Sequence, residues 1–368
     1  MRFTGRRLLI VGVPLVGLLA LLDLEWLDTY RYPIASPDFL VYYLAAQVGS
    51  SQGWAAIYDP SIFLPRITAA VGRPLPYLNP PQLAWLVLPL TLLPYSLAAW
   101  AWKGLLAAAY TLSSFLAAPG IRLAKIAWAL AGALMLPVFM SLVFGQVSLL
   151  IVAVIALAYW LVRTNHPWLA GLVLAASFLK PQAAFLVPVA LLLSSQLRTF
   201  IAWLSASAVL AVVALLAVSW SAVQNIAASM AVAGGIPGPV QMSLLRQLPL
   251  PLGLAGATLA VGVFVVVAIR SRPKPEVAVA AGLIASVLVS PYLNVYDLSG
   301  LVLAAWLVER SNPLRWQARV SAAMLLPIFL APIAPLLSLI CISAWLASLL
   351  ALPTPPARKI MTIESIAA

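Results

Sequence analysis

Negatively charged residues are scarce in this chain. Only nine Asp and Glu occur among 368 residues, against 21 Lys and Arg, with one cysteine and one histidine. The single cysteine, Cys341, excludes disulfides within the chain and cysteine-rich metal sites. The basic residues stand singly or in threes at the ends of apolar runs, and no basic patch with interleaved aromatics exists, which argues against nucleic-acid binding. The isolated His166 and the few scattered acids give no metal-ligand spacing, so we expect no metal site.

Apolar runs dominate the chain, which is 64% hydrophobic and 8% charged. Several runs approach the roughly 20 residues that cross a bilayer, and no stretch between them is long enough for a soluble catalytic domain. The composition predicts an all-α polytopic integral membrane protein with one domain over residues 1–368. Some runs are short, which predicts about ten to thirteen transmembrane helices, some of them tilted, broken or re-entrant. The runs lie near 8–24, 82–94, 96–118, 126–142, 147–162, 168–179, 182–194, 200–219, 251–269, 277–290, 296–308, 320–334 and 336–352.

The distribution of basic residues predicts the orientation. Three arginines precede the first apolar run and no small-residue cleavage site follows it, so we expect an uncleaved first span with a cytoplasmic amino end, in the plasma membrane. The same rule places Gln146, a loop over 220–250 and the segment 290–297 on the outer side. Arg122 and Lys125 favour the cytoplasm, whereas simple alternation through 82–118 places them outside.

Two long outer loops interrupt the apolar runs. The first, over about 25–81, is rich in Tyr and Trp and predicts short amphipathic helices at the membrane interface. The second, over about 220–250, contains Gly234-Gly235-Ile236-Pro237-Gly238-Pro239, which cannot form a regular helix. Because both loops fall on one side, we expect any chemistry on that side.

Asp38 in the first loop is the strongest candidate for a catalytic residue. A carboxylate beside apolar helices is desolvated, and desolvation raises the pKa of such a group toward the range of a general base. The alternative is a helix cap, because Ser36-Pro37-Asp38 is also a good helix start with an acid in the first turn.

Cations between apolar segments are candidates for binding a lipid phosphate. Lys180 must reach headgroups or pair with an anion, since a free ammonium inside the bilayer costs about 3 kcal/mol. Snorkelling to the interface is the alternative. Arg246, Arg66 and Arg73 are further candidates, because guanidinium binds phosphate bidentately, and contact with lipid headgroups is their alternative.

Polar groups at two other breaks suit a sugar. Gln146, after Gly145, offers an amide that can hydrogen-bond a hydroxyl, or it caps a helix at a glycine break. Tyr292 and Asp297 in Pro291–Asp297 offer stacking and hydrogen bonding, or they are an interfacial tyrosine and a helix-capping acid.

The order of these motifs resembles a known enzyme family. An Asp-Phe-x-x-Tyr-Tyr segment is followed by a long loop and then by Asn-Pro-Pro, Phe-Gly-Gln, Ala170-Gly171-Leu172 and Leu-Lys-Pro-Gln, over about residues 36–198. A weaker resemblance extends to residues 290–297. This order resembles membrane glycosyltransferases of the GT-C fold, and more specifically family 87, the polyprenol-phosphate-mannose-dependent mannosyltransferases and their relatives. The first loop departs from the usual pattern, because no second acid lies nearer to Asp38 than Asp59.

The resemblance implies an enzyme that moves a sugar, mannose or another hexose or pentose, from a polyprenyl phosphate to an acceptor hydroxyl of a lipid or glycan outside the membrane. Asp38 is then the general base, and Lys180 and Gln146 face the donor phosphate and sugar, with inversion at the anomeric carbon. Gln182, Arg246, Tyr292 and Asp297 complete the expected donor site. No cofactor is implied beyond the lipid-linked donor.

Two other functions remain open from the sequence. A transporter or flippase of lipid-linked sugar also needs aromatics and cations near lipid phosphates. A noncatalytic partner in envelope-glycan assembly fits if Asp38 is only a cap. An enzyme requires Asp38, Gln146 and Lys180 to converge on one outer cavity.

Overall fold

The computed structural model describes residues 36–234, 242–272 and 274–351, and this part of the chain is helical without any strand. The helices begin where the sequence places Pro or a break before an apolar run, and many carry Pro in the first turn. They are α1 Pro37–Gln52, α2 Pro60–Val71, α3 Pro81–Val87, α4 Tyr95–Ala117, α5 Arg122–Ala133, α6 Leu136–Phe144, α7 Ser148–Arg163, α8 Pro167–Leu174, α9 Leu186–Leu193, α10 Leu197–Ala217, α11 Trp220–Gly234, α12 Leu244–Gln247, α13 Leu250–Arg270, α14 Pro275–Val289, α15 Ser299–Arg310, α16 Arg315–Leu325 and α17 Pro335–Ser348.

Short 3₁₀ segments extend or connect several of these helices. They are Trp54–Tyr58, Leu88–Leu92, Ala175–Leu179, Pro181–Ala183, Val295–Leu298, Leu326–Leu330 and Leu349–Ala351. Each apolar run predicted within the described residues therefore contains one helix or a broken pair. The first run, residues 8–24, lies outside the described residues.

Among the described residues, fewer helices are long enough to cross a membrane than the number of crossings that the sequence predicts. Within the described residues, α10 and α13 are long and apolar enough to cross a membrane, and α5 with α6 forms a third candidate, bent by 73°. Shorter apolar helices of 10–17 residues account for other runs. The structure thus supports a helical membrane protein with two or three candidate spans among the described residues, and the expected ten to thirteen crossings stay a prediction.

Burial separates the core helices from those that face the surroundings. Every residue of α14 from Val277 to Leu288 is buried, and so is α15 from Ser299 to Val308, which is expected of helices that are apolar on all sides. In α10 only 17% of the apolar window is buried, and in α13 only 28%. Because α10 and α13 expose rows of Leu, Val and Ile, we expect these two helices to contact lipid.

Three helices, α4, α7 and α15, run in the same direction between two chemically different ends. α4 begins next to Ser36, α7 next to Gln146 and α15 next to Asp297. We call this end the site end. At their other end, the basic end, Arg163 and Arg310 both approach the ring of Tyr159, at 5.9 and 6.0 Å from its centroid.

The turn between α4 and α5 lies at the basic end. Arg310 donates to the carbonyl of Leu116 at 3.2 Å, and the ammonium of Lys125 donates to Phe115 O. The run at 82–94 is short and ends at Leu93, whose carbonyl accepts from Tyr43 of α1. Lys125, and with it the start of α5 at Arg122, therefore lies at the same end as Arg163 and Arg310, which favours the placement by charge over simple alternation through 82–118.

The structure corrects the prediction for the first outer loop. In this loop, α1 is not amphipathic but buried on most of its surface, so it is part of the core. The second loop contains α11 and the one-turn helix α12. The Gly-Pro sequence at 235–241 lies outside the described residues.

Candidate active site

Asp38 lies in the first turn of α1, with its helix fixed by aromatic side chains. Phe39 stacks on Trp102 of α4 with ring centroids 5.4 Å apart, and the Tyr95 hydroxyl donates to Ser36 O at 2.9 Å. Ser36, at the N-cap, adopts φ +62° and makes no side-chain capping bond. The Asp38 carboxylate turns away from its own helix and accepts a hydrogen bond from Gln146 Nε2 to Oδ2 at 2.7 Å.

Gln146 reaches Asp38 because Gly145 ends α6 in a left-handed conformation. Gly145 has φ +72°, and a Cβ at this position would lie 2.7 Å from Phe39 Cβ, so only glycine lets this break approach α1 so closely. Its carbonyl accepts from Trp102 Nε1 at 2.7 Å. The same break places Gln146 in the core, 6% exposed.

Lys180 lies in the irregular segment between two short 3₁₀ segments and is 3% exposed, which excludes snorkelling to the interface. Its ammonium forms an ion pair with Asp297 and donates to Gln146 Oε1 at 2.9 Å and Ser148 Oγ at 3.1 Å. The Tyr296 ring covers it, with 4.6 Å between Nζ and the ring centroid. The anion that pairs with Lys180 is therefore supplied by the protein itself.

Asp297 is held from three directions at the start of α15. Its Oδ1 accepts from Ser148 Oγ at 2.8 Å as well as from Lys180, and its Oδ2 accepts from the backbone N–H of Asn294 at 3.0 Å. Asp297 is 3% exposed. The hydrogen bond from Asn294 gives Asp297 the helix-capping role that the sequence allowed. The ion pair gives it a second role, as the anion that neutralises Lys180.

Four helix ends or breaks thus meet at one place: the start of α1, the break after α6, the break at Lys180 and the segment before α15. We call the polar side chains gathered there the polar cluster: Asp38, Tyr42, Gln146, Ser148, Lys180 and Asp297. Irregular backbone at membrane depth is tolerated where it is enclosed by protein or lines a cavity, and these breaks are enclosed. Within the described residues, Lys180–Asp297 is the ion pair that the structure contains.

Burial and the neighbouring groups of the polar cluster together shift the pKa of the Asp38 carboxyl. Asp38 is half-buried and lies in α1, which is not among the candidate spans. Burial raises the pKa of Asp38 to about 6, the hydrogen bond from Gln146 and the charge of Lys180 oppose the rise, and the charge of Asp297 adds to it. A carboxyl with this pKa is ionised at neutral pH and can still accept a proton.

Three predicted donor-site residues lie outside the polar cluster. Gln182 is half-buried, and no described hydrogen bond joins it to Lys180 or Gln146. Arg246 is exposed and donates from Nε to Pro291 O at 3.2 Å, so it borders the segment that carries Asp297. Tyr292 is half-buried, and its hydroxyl accepts from Asn294 Nδ2 at 3.3 Å.

Sequence reasoning missed the roles of Tyr42 and Ser148. The Tyr42 hydroxyl donates to Gln146 Oε1 at 2.8 Å, and Ser148 lies between Lys180 and Asp297. Tyr42 lies one helical turn after Asp38, which is a usable signal, whereas a serine at a helix start carries none. Among the described residues, no three His, Cys, Asp or Glu side chains come together as a metal-ligand group.

One comparison with known proteins supports the family that the motif order resembles. The family model for glycosyltransferase family 87 matches residues 77–291, more than half of the chain. This range includes Gln146, Ser148 and Lys180, whereas Asp38 lies before it and Asp297 shortly after it. No curated protein and no solved structure matches the chain.

Proposed function

Because the chain belongs to glycosyltransferase family 87, we propose that it transfers a sugar from a polyprenyl-phosphate carrier to an acceptor hydroxyl, with Asp38 as the general base. The proposal rests on the hydrogen bonding of the Asp38 carboxylate. Its Oδ2 is anchored by Gln146, while no described residue donates to Oδ1. A half-buried carboxylate with one oxygen anchored, and the other without a donor among the described residues, is suited to receive a proton from a hydroxyl.

The proposed reaction is a single displacement with inversion. Asp38 takes the proton of the acceptor hydroxyl as its oxygen forms a bond to the anomeric carbon of the sugar. The bond between that carbon and the phosphate oxygen breaks, and the polyprenyl phosphate leaves with one additional negative charge. The negative charge lost by Asp38 on protonation thus appears on the leaving group.

The leaving phosphate needs a cation more than a proton donor. Arg246 is the best-placed candidate, because its exposed guanidinium contacts the backbone of Pro291 beside Tyr292 and the cluster-bearing segment. Tyr292 offers a ring for the sugar. Because the mechanism uses no metal ion, we expect a chelator such as EDTA to leave transfer unchanged.

The proposal also includes the side of the membrane. The site end carries the polar cluster, and the basic end collects Arg163, Arg310 and Lys125. The positive-inside rule favours the cytoplasm for the basic end and so the outer face of the plasma membrane for the site end. Labelling of a cysteine introduced at each end by a membrane-impermeant reagent tests this orientation.

The test is sugar transfer in membranes supplied with labelled polyprenyl-phosphate sugars, mannose first, by wild type, Asp38→Asn and Asp59→Asn. Asp59 is the matched control, because it accepts from Ser61 as the N-cap of α2 and asparagine caps equally well. We expect Asp38→Asn to lose transfer by about 10²-fold or more and Asp59→Asn to keep it.

Transfer by Asp38→Asn at the wild-type rate would remove Asp38 from the mechanism. Absence of transfer by wild type with every donor would favour a transporter of lipid-linked sugar or a noncatalytic partner.

A further inference from the structure

The polar cluster contains a lysine that has no hydrogen-bonding capacity left for a substrate. A lysine ammonium has three N–H donors and no acceptor. Lys180 already meets three acceptors, on Asp297, Gln146 and Ser148, and it is 3% exposed beneath the ring of Tyr296. A donor phosphate would have to displace one of these partners and open the core to reach it.

Gln146 is the side chain that connects Lys180 to Asp38. Its Oε1 accepts from both Lys180 Nζ and the Tyr42 hydroxyl, and its Nε2 donates to Asp38 Oδ2. If the amide were turned over, its NH₂ group would face the ammonium and its oxygen would face the carboxylate. Lys180 cannot accept a hydrogen bond, so it imposes the orientation that points the amide N–H at Asp38.

We infer that Lys180, held by Asp297 and Ser148, is a positioning residue that orients Gln146 and through it the Asp38 carboxylate, and that it does not bind the donor phosphate. The inference rests on the proposed function of Asp38. It replaces the phosphate-binding role that the family resemblance implies for Lys180 and leaves that role to exposed cations such as Arg246.

The groups around Asp38 make the inference measurable through pH. The charged groups that act on Asp38 are Lys180 and Asp297, and Gln146 donates to it. Lys180 and Gln146 both favour the ionised carboxylate, so loss of the lysine charge shifts the acid limb of the rate profile to higher pH. The tyrosine hydroxyl groups that interact electrostatically with the Asp38 carboxylate are those of Tyr42, Tyr95, Tyr292 and Tyr296.

The experiment measures kcat, the KM for the polyprenyl-phosphate sugar and the pH profile for wild type, Lys180→Met and Arg246→Met. For Lys180→Met we expect kcat to fall about tenfold or more, the donor KM to stay within about twofold, and the acid limb to move up by about one pH unit. For Arg246→Met we expect the reverse pattern, a raised donor KM with an unmoved acid limb.

Lys180→Met leaves Asp297 buried without its cation and is therefore at risk of misfolding. The double variant Lys180→Met/Asp297→Asn removes both charges, whose effects on the pKa of Asp38 oppose each other. We therefore expect the same fall in kcat and the same unchanged donor KM, with a smaller shift of the acid limb. Gln146→Leu keeps the ion pair and should move the acid limb in the same direction.

A raised donor KM in the Lys180 variants, with kcat and the acid limb unchanged, overturns the inference and makes Lys180 a phosphate ligand. Variants that match wild type in all three quantities overturn it as well. Failure of the proposed function gives a different result, because Asp38→Asn would then transfer sugar normally or wild type would transfer none.

Discussion

The two ends of α4, α7 and α15 differ in the burial and the partners of their charged side chains. At the site end, Lys180 and Asp297 are each 3% exposed and satisfy one another together with uncharged partners. At the basic end, Arg163 is exposed and Arg310 half-buried, and they meet a tyrosine and a backbone carbonyl. Burying a charge costs free energy that a surface cation avoids, so the buried pair indicates function and the surface cations indicate orientation.

The largest difference between the ends should appear on removal of one charge. Asp297→Ala leaves Lys180 buried without an anion, which should lower the free energy of unfolding by about 3–5 kcal/mol. The matched change Arg310→Ala removes a half-exposed hydrogen bond to Leu116 O and should cost about 1 kcal/mol. Thermal unfolding of the purified variants in detergent compares the two, and equal losses would contradict the distinction.

A glycine at each end gives the next comparison. Gly145 and Gly120 both have positive φ, +72° and +89°, and a Cβ at either would be crowded, at 2.7 Å from Phe39 Cβ and 2.9 Å from Ala124 Cβ. Both Gly→Ala variants should lose about 1–2 kcal/mol of stability from the strained backbone.

Only Gly145→Ala should also lower sugar transfer, by about tenfold or more, because it moves Gln146 away from Asp38. Rates corrected for the amount of folded protein measure this effect. An equal effect of Gly120→Ala on the rate would mean that the two ends are coupled.

The pH dependence should originate at the site end alone. The pKa of Asp38 is raised to about 6, so the base form predominates above that pH and is lost as the pH falls. We therefore expect kcat/KM to decrease about tenfold per unit below about pH 6. A rate that is flat from about pH 4.5 to 8 would exclude Asp38 as the titrating base.

The smallest effect is expected from single hydroxyl groups. Tyr42→Phe removes one of the two donors to Gln146 Oε1 and leaves Lys180 in place, so transfer should fall about two- to tenfold. Tyr159→Phe at the basic end removes the acceptor of Arg163 and should leave the rate unchanged. A loss of about 10²-fold in Tyr42→Phe would mean that its hydroxyl touches the substrate.

The sequence predicted helix positions better than it predicted which helix breaks meet. Apolar runs locate α4, α7 and α13 to within a few residues because composition determines where a helix can lie in an apolar environment. Asp38, Gln146, Lys180 and Asp297 were each recognised as polar groups in apolar surroundings. Their mutual contacts depend on how separate helices pack, which spacing along the chain does not encode.

The same limit explains the residues that were misplaced or missed. Arg246 and Gln182 have suitable side chains, but the packing leaves both outside the polar cluster. Ser148 is ordinary by sequence and becomes central only because α7 begins between Lys180 and Asp297. The buried character of α1 also depends on its neighbours, since its own sequence reads as an interfacial segment.

The ion pair between Lys180 and Asp297 has a consequence for how the chain is made. Lys180 leaves the ribosome more than a hundred residues before Asp297, which at about 5–20 residues per second is a delay on the order of ten seconds. During that time α8 and α9 hold a lysine without its anion. We expect chains truncated before Asp297 to keep this lysine accessible to amine reagents and to be degraded faster than the full-length chain.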